Sequence, residues 1–240
     1  DGSSTFNVAI RTIDLDEGHA HMGVGGGIVA DSNPHDEYNE CLLKAEFLVR
    51  SRPDFHLIET MLWNGEFCRL AMHLDRIEAS ASYFNFSFDR VAITSHLLAL
   101  STLFEPEELY RVRLLLNEQG AFSIEHSKYA PDTPDTVGRA LLSAERTSSK
   151  DFFLRHKTTH RELYQSEFMR CRAEGFDEVI FFNERDEVTE GAISNIFIRK
   201  AGELLTPPLS SGVLPGIFRR HLLETDRSAK EMILTMQDLA

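Results

Sequence analysis

The apolar positions recur with two different periods, and the changes between them divide the chain into elements. "FNVAIRTI" (6–13) and "VGGGIVA" (24–30) read as strands, the second entered through glycines. "SNPHDEYNECLLKAEFLVR" opens with a helix-start signal at Ser32 or Asn33 and Pro34. It continues with apolar spacing at Leu42, Leu43, Phe47 and Leu48, which predicts a helix. The polar, proline-broken "SRPD" at 51–54 is the best boundary in the chain and separates a short part, 1–50, from a larger one, 51–240.

In the larger part, "FHLIETMLWNGEFCRL" predicts a hairpin around Asn64 and Gly65. "MHLDRIEASASYFNF" and "RVAITSHLLALSTL" predict helices, and "LYRVRLLLNEQGAFSIEHSKY" a second hairpin turning near Asn117 to Gly120. "EVIFFNERDEVTEGAISNIFIRKAGELLTPP" predicts a meander with turns at Asn183 to Asp186 and at Ala201 and Gly202. "LPGIFRRHLLE" predicts a helix begun by proline and glycine. The whole is mixed α and β, without repeats.

Composition narrows the function. At 240 residues there is ample apolar content for a real core, and 25 Lys+Arg against 38 Asp+Glu give a net charge of −13. That excludes nucleic acid or an anionic membrane as main partner, since each needs a basic face, and leaves room for a local basic pocket for a small anion. Cys41, Cys68 and Cys171 lack a metal spacing and read as reduced thiols of a cytoplasmic protein. No apolar run approaches the roughly 20 residues of a spanning helix. Opening on Asp1 and ending on "TMQDLA", the chain reads as a fragment of a longer protein.

Four stretches carry candidate chemistry. In "FLRHKTTHRELY", Lys157 follows an apolar run; a lysine at a strand end among apolar neighbours has its pKa lowered toward use as nucleophile or base, whereas most lysines are surface charges. Glu190 of "EVTEGAISNIF" is either a carboxylate emerging from a sheet toward a pyridine nitrogen or an ordinary turn glutamate. In "TPPLSSGVLPGIFRR" the amides of Ile217 and Phe218 are the free donors of a helix start, suited to a phosphate. Arg76 lies three residues after His73 on one helix face, as phosphate clamp or surface charge. His19 and His21 lack a third zinc ligand, and Tyr83, Phe84, Phe86 and Phe88 suit a core or interface.

Taken jointly, "HLDR", "HKTTHRELY", "EGAISNIF" and "TPPLSSGVLPGI" resemble the fold-type IV pyridoxal-phosphate enzymes over residues 55–240. That family includes branched-chain and D-amino acid aminotransferases and 4-amino-4-deoxychorismate lyase. The resemblance implies an α+β fold of two subdomains and a homodimer. It implies that Lys157 forms the Schiff base with pyridoxal 5′-phosphate and moves protons, that Glu190 pairs with the pyridine nitrogen, and that Arg76 with the Ile217 and Phe218 amides holds the phosphate. Leu214 would pack on the ring, Tyr164 would contact its phenolic oxygen, and Thr60 would be a catalytic helper. A further phosphate-binding hydroxyl is expected beyond "TMQDLA".

"GVGGGIVADSNPHDEYNECLLKA" (23–45) has no βαβ unit in the form a dinucleotide fingerprint needs; by itself it is a tight turn between strand and helix. With "FNVAIRT" it resembles the C-terminal end of the chorismate-utilising enzymes, over about residues 5–50. That implies that Gly25, Gly26, Gly27, Arg11 and Lys44 contact substrate and that Glu37 and Glu40, on one helix face, help hold Mg²⁺. The junction resembles fusions of aminodeoxychorismate synthase component I with the lyase that yields 4-aminobenzoate and pyruvate for folate synthesis, served by a glutamine amidotransferase subunit. The alternatives are a transaminase of branched-chain or D-amino acids on the same fold and a truncated, inactive module.

Overall fold

The computed structural model of the protein describes residues 13–24, 32–49, 53–131 and 137–239. The chain divides into two compact units, Asp1–Pro53 and Asp54–Ala240. In the first, strands β1 (Ile13–Asp16) and β2 (His19–Met22) pair antiparallel, and helix α1 spans Pro34–Val49. The helix starts where Pro34 and the Asn33 side chain predict, the latter accepting from the His35 amide at 2.9 Å. The expected strands at 6–13 and 24–30 lie, apart from their edges, outside the described residues, as do Arg11, Gly25, Gly26 and Gly27.

The second unit opens with β3 (Leu57–Trp63), whose Leu57, Met61 and Trp63 are buried on one side. Helices α2 (Leu70–Phe84) and α3 (Arg90–Ser101) follow, then β4 (Tyr110–Leu116) and β5 (Phe122–Lys128). The buried positions of α2, namely His73, Leu74, Ile77, Ser80, Ala81 and Phe84, recur every three or four residues and put one face on the core. That core includes Ile93, Leu97, Val112, Leu114 and Leu116, each worth about 1.5–3 kcal/mol on burial. The sheet order is β3-β4-β5, antiparallel throughout.

Here the structure corrects the sequence. The chain does turn at Asn64 and Gly65, but only the bridge Trp63↔Phe67 forms there, and the returning residues enter α2. Strand β3 instead pairs along all seven residues with the distant β4, because the returning segment passes into α2 at Leu70, too soon after the turn to match a seven-residue strand.

Strand β6 (Ala140–Thr147), which the apolar pattern does not announce, leads through α4 (Glu162–Ala173) to β7 (Glu178–Asn183), parallel to β6. Strand β8 (Val188–Gly191) returns antiparallel to β7, with the turn expected at Asn183 to Asp186. The predicted meander is broken after β8: β9 (Ile198–Lys200) and β10 (Glu203–Thr206) form a separate sheet with β11 (Ala229–Glu231), reached through helix α5 (Ile217–Thr225). The reason lies in Glu178 at the start of β7. Its carboxylate accepts from the Ala192 and Ile193 amides at 3.0 and 3.3 Å and from the Ser194 hydroxyl at 2.6 Å, drawing the chain into a turn instead of a further strand. Gly191 is needed there, since a Cβ would lie 2.6 Å from the Glu178 Oε2.

Candidate active site

A cavity of about 690 Å³ opens between the end of β3, the first turns of α2, the segment 153–164, the end of β8 and the start of α5. Lys157, Glu190, Arg76, Tyr164, Thr60, Leu214, Ile217 and Phe218 all line it, so the structure brings together every site residue predicted in the larger part of the chain.

Lys157 does not sit at a strand end. The apolar run before it is a short 3₁₀ turn, Phe152–Arg155, and the chain then extends along the edge of β3. The Lys157 carbonyl accepts from the Ile58 amide at 2.8 Å, Thr158 bridges to Leu57, and the Thr159 hydroxyl accepts from the His56 amide at 2.9 Å. The backbone is thereby fixed on both sides of the amine, which has no hydrogen-bond partner among the described residues. Burial, reinforced by the nearby Arg76 charge, lowers its pKa to about 8.

Glu190 is the last residue but one of β8 and is buried. Its Oε1 accepts from the Tyr164 hydroxyl at 3.3 Å, and its Oε2 from Asn195 Nδ2 at 3.1 Å and the Leu214 amide at 3.0 Å. Burial raises its pKa to about 7 despite these donors. Tyr164 thus lines the cavity with its hydroxyl donating to the carboxylate, and burial beside Glu190 pushes its own pKa well above the usual phenol range. Leu214 acts through its backbone as well: its carbonyl accepts from Asn195 at 3.0 Å.

A second buried carboxylate, Glu59 on β3, organises the opposite wall. It accepts from Arg76 Nε at 2.8 Å and Arg76 Nη2 at 2.6 Å and lies 2.6 Å from His73 Nδ1. Burial opposes its ionisation, but His73 and Arg76 outweigh that and hold its pKa below the ordinary value. The remaining Arg76 nitrogen, Nη1, donates to the Pro215 carbonyl at 3.2 Å, which sets the guanidinium beside the start of α5. At that start the Ile217 and Phe218 amides are first-turn donors without intrahelical acceptors. Gly216 allows the turn to press against the Glu190 support, because a Cβ there would fall 1.8 Å from Asn195 Oδ1.

The set fits a phosphorylated pyridine aldehyde: an unpaired amine of lowered pKa, a buried acid at the far wall, and amides with an arginine for a phosphate. Glu59, Asn195 and Glu178 were not picked out from the sequence as site residues. The available signal was an acid at a position where alternation demands an apolar residue, as in "LIETMLW" and at the head of "EVIFFN". In the first unit, Glu37 and Glu40 lie on α1, with Glu37 accepting from the Ser32 hydroxyl at 2.8 Å. Lys44 is on the same helix, its side chain outside the described set. Among the described residues no group of three His, Cys, Asp or Glu is gathered as a metal site.

The sequence pattern of the family described as "Amino-transferase class IV" matches residues 56–240, and that of "chorismate binding enzyme" matches residues 1–50. The chain belongs to the class IV aminotransferase family and carries at its start a piece of a chorismate-binding enzyme. A Schizosaccharomyces pombe protein named "Putative aminodeoxychorismate lyase" is 28% identical over 173 residues, covering 70% of this chain and 73% of that one. The crystal structure of a "Putative amino-acid aminotransferase" from Mesorhizobium loti superposes with a TM-score of 0.73 at 36% identity, covering 78% of this chain and 90% of that one. For the first unit, the rice "Probable aminodeoxychorismate synthase, chloroplastic" is 58% identical over 41 residues, 17% of this chain and 5% of that protein.

Proposed function

We propose that residues 51–240 form a pyridoxal 5′-phosphate-dependent lyase that converts 4-amino-4-deoxychorismate to 4-aminobenzoate and pyruvate. The observation that carries this reading is the single cavity holding the Lys157 amine, the Glu190 carboxylate and the Arg76–α5 anion site together. The lyase-named relative and the chorismate-binding segment at the head of the same chain favour this substrate over other amines. Bound here, the cofactor supplies an electrophilic carbonyl and a ring that accepts the electron pair released at the substrate's amine-bearing carbon.

The chain's own groups do the rest. With a pKa of about 8, about a tenth of Lys157 is unprotonated at pH 7, far more than of an ordinary lysine, and able to act as nucleophile, then as base toward the proton on that carbon. Glu190, held by three donors, would pair with the ring nitrogen and favour its protonated form. Arg76 and the α5 amides take the phosphate, and Thr60 offers a hydroxyl at the cavity wall. Loss of the ring proton and cleavage of the enolpyruvyl C–O bond leave an aromatic ring, and the released enolpyruvate takes up a proton to become pyruvate.

Residues 1–50 are the end of a chorismate-binding domain in which Glu37 and Glu40 contribute to a Mg²⁺ site and Arg11, Gly25, Gly26, Gly27 and Lys44 to the substrate site. A homodimer, a glutamine amidotransferase partner for the longer protein and a cytoplasmic location complete the proposal. Among the described residues no helix is long and apolar enough to cross a membrane.

The test is pyruvate release from 4-amino-4-deoxychorismate with cofactor present and no 2-oxo acid. Release is expected, and Lys157→Ala should reduce it by at least about a thousandfold. The aminotransferase-named relative sustains a second reading, transamination. Cofactor binding with amino-group transfer to a 2-oxo acid, and no pyruvate from this substrate, would establish it.

A further inference from the structure

Five cationic side chains line the cavity, Arg69, Arg76, Lys157, Arg161 and Arg219, against one carboxylate, Glu190. Three of the guanidiniums are engaged. Arg76 is held by Glu59 and the Pro215 carbonyl, Arg161 by the Ala192 carbonyl, and Arg219 by the Pro207 carbonyl and Glu231. Arg69 is different: its Nε, like that of Arg219, is buried with no acceptor, but among the described residues the rest of its guanidinium has no hydrogen bond and no ion pair either.

Its placement is nevertheless defined. Arg69 is the N-cap of α2, held in a left-handed conformation with φ 56°, and its Cζ lies 5.1 Å from the centre of the Phe218 ring at the start of α5. With His73 and Arg76 it forms an i, i+4, i+7 series, so the three share one helix face. The contact with the Phe218 ring holds the guanidinium in place without using any of its N–H donors in a hydrogen bond. A buried donor without an acceptor is costly and rare, and here it borders a cavity that a ligand can enter.

We propose that Arg69 binds an oxyanion of the ligand that fills this cavity, two N–H groups meeting two oxygens. The substrate's carboxylate and the cofactor's phosphate offer the same chemistry. The inference rests on the cofactor- and substrate-binding reading of the site, and it concerns the one cavity guanidinium, among the described residues, that makes no hydrogen bond and no ion pair.

The experiment compares wild type, Arg69→Gln and Arg69→Lys, each checked for a wild-type circular dichroism spectrum. The affinity of the cofactor-free protein is measured for pyridoxal 5′-phosphate and for unphosphorylated pyridoxal by absorbance. That of the loaded protein for 4-aminobenzoate is measured by calorimetry, alongside KM and kcat. If the oxyanion is the substrate carboxylate, Arg69→Gln weakens 4-aminobenzoate binding and raises KM by about tenfold or more, with kcat and cofactor affinity unchanged and Arg69→Lys restoring part of the loss. If it is the phosphate, pyridoxal 5′-phosphate binding weakens by about tenfold or more while pyridoxal binding does not change. Affinities for the phosphate ester and for 4-aminobenzoate that all stay within about twofold of wild type overturn the proposal. Should Arg69→Gln fail to fold, a charge-preserving Arg69→Lys with wild-type affinity for both ligands overturns the two-pronged contact. These binding arms need no turnover, so a wild type that released no pyruvate would refute the lyase reading and still leave Arg69 decided.

Discussion

Glu190 holds an acid proton more tightly in the folded chain than in the unfolded one. Its pKa rises from the ordinary glutamate value of 4.5 to about 7, because burial outweighs its three donors. Between those values the native carboxyl is protonated and the unfolded one is not. The stability this group contributes is therefore complete below pH 4.5 and lost as pH rises through 7. In the cofactor-free protein, Glu190→Gln should be as stable as wild type near pH 4 and more stable at pH 8, by up to about 3 kcal/mol. Thermal denaturation across that range checks it, and a gap independent of pH would show that the carboxylate carries no such cost. A pyridinium cation facing Glu190 would remove the same penalty, which couples cofactor binding to stability at neutral pH. Lys157 and Glu190 were both legible in the sequence because each is embedded in a contiguous motif. Glu59, Asn195 and Arg69 were not, because each is defined by a contact outside its own motif, to Arg76, the Leu214 carbonyl and Phe218 respectively.

The α2 helix and β3 strand show how an element is made to serve the cavity. Glu59 sits in an otherwise apolar strand and orients the Arg76 and His73 side chains one helical turn apart. Glu59→Gln would leave Arg76 buried without its anion, a change expected to cost about 3 kcal/mol in the cofactor-free protein. A bound phosphate supplies a replacement anion, so the loss should shrink when pyridoxal 5′-phosphate is saturating. Equal losses with and without the cofactor, measured by urea unfolding, would mean that Arg76 does not meet the phosphate. Helices α1, α2, α3 and α5 could be read from local spacing and start signals. Pairing could not: nothing near Asn64 and Gly65 reveals that β3 has a better partner in β4, and strand β6 and the short β11 gain their identity only from the strands beside them.

For the molecule as a whole, the outer charge and the inner charge have opposite signs. The chain carries −13, yet its cavity presents five cationic side chains to one acid. A ligand such as 4-amino-4-deoxychorismate, with its two carboxylates, meets the net field first, as it comes within a Debye length of the surface, about 30 Å at 10 mM salt and about 8 Å at physiological ionic strength. Only on entering does it meet the arginines, which sit in a partly desolvated site and are shielded less. Added salt should therefore speed encounter before it weakens the hold. The value of kcat/KM is expected to rise between about 10 and 100 mM salt and to decline above that. Steady-state rates over this range are the check, and a fall from the lowest concentration onward would show that the cavity's own field already reaches into bulk solution. The acidic surface thus acts as a toll on anions in dilute media and a negligible one in concentrated media, which makes uptake of the ligand a function of the ions around the protein as much as of the residues within it.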